Sequence, residues 1–103
     1  SRSMDLNDQF SVLNPEPSGR VRALMVGINY VGMSGELRGC HNDVHKMCTY
    51  LNKKGFKDHC MRLLLDDGEH EEPTKDNIIR GFQWLIEGAQ AGDSLFFHYS
   101  GHG

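Results

Sequence analysis

The residues with most chemistry to offer stand at the end of "SLFFHYSGHG", where His102 lies between Gly101 and Gly103. An imidazole titrates near neutrality, so a histidine at a loop edge is suited to general acid–base work. Gly101 lets the backbone turn sharply, and the N–H of Gly103, with no side chain beside it, can approach a carbonyl as an oxyanion donor. The same three residues also fit a strand-end histidine between turn glycines, and both readings stand at this point. A second group is "RGCHNDVH", with Cys40, His41, Asp43 and His45. His41 and His45 are four apart, a spacing that can chelate zinc from one helical face. Asn42 occupies the position where H-E-x-x-H requires glutamate, so a helix-surface pair is expected. Gly27, Gly32, Gly35 and Gly39 match neither G-x-G-x-x-G nor G-x-x-x-x-G-K-[ST], which excludes a standard phosphate loop; they read as turns with positive φ or as close backbone approaches. "DDGEHEE" reads as a solvated acidic loop.

These residues need elements to hold them. "VRALMVGIN", Val21 to Asn29, is short and almost continuously apolar, as suits a strand buried on both faces of a parallel sheet. "HNDVHKMCTYLNKKG" places Val44, Met47, Cys48 and Leu51 on one helical face and ends on Gly55, a helix-terminating glycine. "CMRLLLDD", Cys60 to Asp67, reads as a second strand. Thr74 is a good N-cap for a second helix, with Asp76 in its first turn and an apolar stripe of Ile78, Phe82, Leu85, Ile86 and Ala89; Gly92-Asp93 ends it. "SLFFHYS" is the third strand. Strand, helix, strand, helix, strand with right-handed crossovers gives a three-layer α/β/α sandwich on a mostly parallel sheet. Such sheets carry their sites at the carboxyl ends of the strands, so the loop with Arg38, Cys40 and Asp43 and the end with Ser100 and His102 fall on one rim. "LFFH" is apolar on both faces, so the third strand should be central, paired with the first strand and with one from outside these residues; an open apolar edge is a liability.

Composition bounds the rest. The 103 residues suit one domain at most, and residues 1–19, with two prolines and no periodicity, read as an irregular or disordered arm. The formal charge of -3 is too mild to suggest nucleic acid or a membrane surface. No apolar run approaches the roughly 18 residues of a membrane span. Cys40, Cys48 and Cys60 form no C-x-x-C pair, and an odd count without a secretory signal points to reduced thiols and a cytoplasmic setting. Cys48 falls on the apolar helix face and Cys60 at a strand edge. Cys40 alone is on the rim.

Taken together, "ALMVGINYVGMSGELRGCHNDVHKM", the T-x-x-N-I helix start at Thr74 and the terminal "GDSLFFHYSGHG" resemble the start of the caspase-like domain of a metacaspase, from about Arg20 to Gly103. The resemblance implies the caspase-hemoglobinase fold, with only its first three strands and two helices in this chain. It also implies a calcium-dependent cysteine endopeptidase, made as a zymogen, that cleaves after Arg or Lys. His102 matches the histidine of the Cys–His dyad and Gly103 the oxyanion position. Asp43, Cys40 and Ser100 match residues lining a basic-specific S1 pocket. The family's nucleophilic cysteine, its second pocket aspartate and its calcium ligands lie downstream of these motifs, so no metal site is expected here. The implied partners are a peptide or protein with a basic P1 residue and the remainder of the same catalytic domain, the part with the cysteine. A catalytically dead caspase-like homologue, acting as a binding or regulatory module, is the alternative. A small α/β binding domain of other ancestry is a third reading, which the combined motifs disfavour.

Overall fold

The computed structural model describes residues 2–5 and 19–102. Four strands and two helices follow in the order β1 (Arg2–Asp5), β2 (Val21–Gly27), α1 (Cys40–Lys53), β3 (Met61–Leu65), α2 (Lys75–Ile86) and β4 (Ser94–Ser100), with a 3-10 turn over Asp58–Cys60 before β3. The strand order in the sheet is β1-β4-β2-β3. β2 pairs in parallel with both β3 and β4, so the three strands expected from the apolar runs form a parallel sheet around β2.

The two faces of that sheet are covered separately. Ala23 and Met25 of β2, Leu65 and Phe96 pack with Val44, Leu51 and Phe56 beneath α1, with Met47 and Cys48 against the same cluster. Leu24, Val26, Leu64 and Leu95 pack against Leu85 of α2, flanked by Ile78, Phe82 and Trp84. Alternation along the strands divides them this way. It makes three layers, as expected, with one continuous apolar run serving two helices.

Local signals explain most boundaries. α1 ends in a Schellman arrangement: Gly55 has φ 98°, its N–H donates to Asn52 O, and Phe56 N–H donates to Leu51 O. Thr74 caps α2, its hydroxyl accepting from Asn77 N–H at 3.1 Å. Gly81 lies so close to β2 that a Cβ there would stand 2.8 Å from Leu24 Cδ1.

Several expectations need correction. α2 stops at Ile86, which is 55% exposed and so leaves the apolar stripe. β3 is shorter than the Cys60–Asp67 run because Cys60 closes the 3-10 turn. The acidic loop is built into the body. Leu65 N–H donates to Glu71 O, Arg62 forks onto both Glu71 carboxylate oxygens at 2.9 Å, and Asp67 accepts from the N–H groups of Glu69 and His70. β4 is central and pairs with β2, but its other partner comes from this chain. Arg2–Asp5, inside the arm expected to be irregular, runs antiparallel along Phe96–Tyr99. An apolar strand edge takes whichever backbone can satisfy its N–H and C=O groups.

Candidate active site

The parallel register brings the carboxyl ends of β2, β3 and β4 level: Gly27 is opposite both Leu65 and Ser100. Three chain segments therefore meet on one rim. On β4, Phe96, His98 and Ser100 alternate onto the α1 face. Ser100, 1% exposed, there reaches Asp43 in the first turn of α1, its hydroxyl donating to Asp43 Oδ2 at 2.9 Å. Asp43 does not cap the helix. The N-cap is Gly39, at φ 94°, and no side chain bonds there. The Asp43 carboxylate is thus turned toward the sheet end. Cys40, 7% exposed, opens the same helix, and its N–H donates to Asn29 Oδ1 at 3.0 Å. His98 lies beneath this pair; burial pushes its imidazole below the ordinary value, against the pull of Asp43.

His102 stands outside the sheet, exposed, one residue past Gly101. Its Nε2 is 3.1 Å from Gly35 O. A carbonyl oxygen only accepts, so Nε2 is the donor in this contact and Nδ1 is the nitrogen left for other chemistry. The Tyr30 ring lies against the imidazole, centroids 4.6 Å apart at 42°. Tyr99 Oη donates to His102 O at 2.9 Å. That contact gives Gly101 a different reason from the sharp turn expected: a Cβ there would fall 2.9 Å from Tyr99 Oη.

Residues 21–103 match the family of the metacaspase peptidase C14 domain. The chain belongs to the metacaspase peptidase family. It is 47% identical over its whole length to "Metacaspase III c" of Phaeodactylum tricornutum, of which it covers 31%. It is 55% identical over 89 residues to "Metacaspase-1A" of Aspergillus clavatus, covering 84% of this chain and 21% of that protein. A third metacaspase, from Mycosarcoma maydis, is 51% identical over 87 residues, 82% of this chain and 22% of its own length. The chain thus spans between a fifth and a third of these curated relatives. With the α/β architecture, this makes it a segment of a metacaspase peptidase C14 domain with a caspase-like fold.

Within this metacaspase segment Asp43, Ser100, Cys40 and His102 share one rim, while Gly103 lies outside the described residues. His41 and His45 part company. His45 is exposed, whereas His41 Nε2 lies 2.6 Å from Asp66 Oδ1 with both side chains 18% exposed, so His41 is no free surface residue. Among the described residues no group of three His, Cys, Asp or Glu could hold a metal. Cys48 is half-buried; burial and then Asp58 push its thiol up, which makes it a poor nucleophile. Cys60 sits at the opposite, amino-terminal end of β3. The sequence does not single out Tyr30 or Asp66, and it marks His41 and Gly35 only as a helix-surface residue and a turn. Only Tyr30 carries a local anomaly, φ 58°, and that is invisible in a residue string.

Proposed function

We propose that this chain is the amino-terminal part of a cysteine endopeptidase that cleaves after Arg or Lys through a Cys–His dyad. The observation that carries the reading is an exposed histidine whose Nε2 is held by the Gly35 carbonyl, on the same rim as a carboxylate held by Ser100. The cysteine belongs to the remainder of the domain. Nδ1 of His102 takes the thiol proton; the thiolate attacks the scissile carbonyl, and the oxyanion is held by N–H groups that include Gly103. As the C–N bond breaks, the imidazolium returns its proton to the leaving amine. Water, deprotonated by the same imidazole, then cleaves the thioester and restores the thiol. The Gly35 carbonyl holds the ring throughout and is best placed to stabilise it when charged.

Asp43 supplies the P1 preference. A guanidinium or ammonium group drawn from water needs a charged partner, and the Ser100 hydroxyl holds that carboxylate in place. Cys40 walls the pocket. Calcium is proposed as the activating ion of the zymogen. Its donors are assigned to the rest of the domain, and no step runs through it here. The partners are then a basic-P1 polypeptide and that remaining part, in the cytoplasm. No described helix is long and apolar enough to cross a membrane.

His102→Ala in the full-length protein tests the reading. The side chain is exposed, so thermal stability should barely shift, while kcat on Arg-terminated fluorogenic peptides should fall roughly a thousandfold or more. Turnover within a few-fold of wild type would exclude His102 from the dyad.

A further inference from the structure

Asp66 follows the last residue of β3, and its carboxylate ties together three segments. Oδ1 accepts the Asn29 N–H at 2.9 Å and lies 2.6 Å from His41 Nε2; Oδ2 accepts the Tyr30 N–H at 2.8 Å. Such bonds are possible because β2 and β3 end level, which puts the residue past β3 beside the residues past β2. Burial works against the charged form. The N–H groups of Asn29, Tyr30 and Val31 and the His41 ring outweigh it and hold the carboxyl below its usual range, so it is ionised at neutral pH.

The consequence falls on Tyr30. Its φ of 58° is left-handed, unfavourable for a residue with a Cβ. The bond from its N–H to Asp66 holds it there, with the bond from Met33 N–H to its carbonyl at 3.0 Å. In that conformation its ring packs on His102. The loop from Tyr30 onward also supplies Gly35 O, the acceptor for His102 Nε2. Its far end is pinned to the same corner, since Asn29 accepts from Leu37 N–H through its carbonyl and from Cys40 N–H through its side chain. Both neighbours of the His102 ring thus belong to a loop whose start is clamped by Asp66.

We propose that Asp66 is a positioning residue for His102: its carboxylate locks the Asn29–Tyr30 turn, and that turn sets the orientation and tautomer of the imidazole through the Tyr30 ring and the Gly35 carbonyl. The proposal rests on the dyad reading of His102. Asp66→Asn is nearly isosteric but turns an amide NH2 toward a donor, so it should release the clamp. In the full-length protein, kcat on an Arg-terminated peptide should fall about 10- to 100-fold, the penalty for a misplaced reacting group. KM should stay within about threefold, since the P1 pocket is untouched. Tyr30→Ala should give the same loss, and the double variant should be no worse than either single one. Nitrogen-15 spectra of the His102 ring should pass from one fixed Nε2–H tautomer to a mixture.

Unchanged kcat in folded Asp66→Asn, unchanged His102 ring signals, or losses that multiply in the double variant would each overturn the proposal. Should Asp66→Asn fail to fold, Tyr30→Ala decides alone: a wild-type kcat there overturns it. If His102→Ala keeps its turnover, the dyad reading falls, while the ring-nitrogen signals still decide whether Asp66 positions the imidazole.

Discussion

Asp43 can be read two ways from its place in the chain, as a helix cap or as a pocket wall, and the bond from Ser100 favours the second. Asp43→Ala in the full-length protein should therefore collapse kcat/KM for Arg and Lys substrates while alkylation of the active-site cysteine proceeds. It also strips a buried hydroxyl of its acceptor, a loss of about 1 kcal/mol. Unchanged cleavage after Arg would remove Asp43 from the pocket. His98 makes a second residue-scale prediction. Its folded pKa is lowered by burial, so below its ordinary value near 6.5 the unfolded chain binds the proton more readily. Stability should be level above that pH and fall as pH drops from it toward the lowered folded value. Chemical denaturation of His98→Gln should lose that slope; an identical pH dependence in the variant would contradict it.

The elements were largely legible because their determinants are local or periodic. Thr74 and Gly55 act on their own helix ends, and the spacing of Val44, Met47, Cys48 and Leu51 needs only a 3.6-residue turn. Ile86 shows the limit. It keeps the period of the α2 stripe but lies in the last turn and is 55% exposed. Leu85, beside it in sequence, is fully buried. Leu85→Ala should then cost about 2–5 kcal/mol, against less than about 0.5 for Ile86→Ala. Equal shifts in denaturation midpoint would mean that α2 sits differently on the sheet.

At the scale of the molecule, Cys40 and Cys48 are buried or half-buried and Cys60 is at the far end of the sheet from His102. The isolated chain should accordingly show no turnover of Arg- or Lys-terminated peptides, with or without calcium. Turnover abolished by Cys40→Ser would instead make Cys40 a nucleophile. The pairing of β1 with β4 predicts slowed amide exchange at Phe97 and Tyr99, whose N–H groups face β1, that is lost when Arg2–Asp5 is deleted. Equal exchange rates in the two forms would deny that pairing.

What the sequence by itself determined were the parallel α/β order, the two helix faces and the rim that gathers Cys40, Asp43, Ser100 and His102. Apolar period, caps and strand-end position are properties of short stretches of chain. Only the tertiary structure decided that Asp43 faces Ser100 across 57 residues, that Asp66 clamps Tyr30 across 36, and that β1 rather than an outside strand lies against β4. Those choices depend on which strand ends come level and which backbone groups remain unpaired once the layers close, and neither is encoded in any one segment.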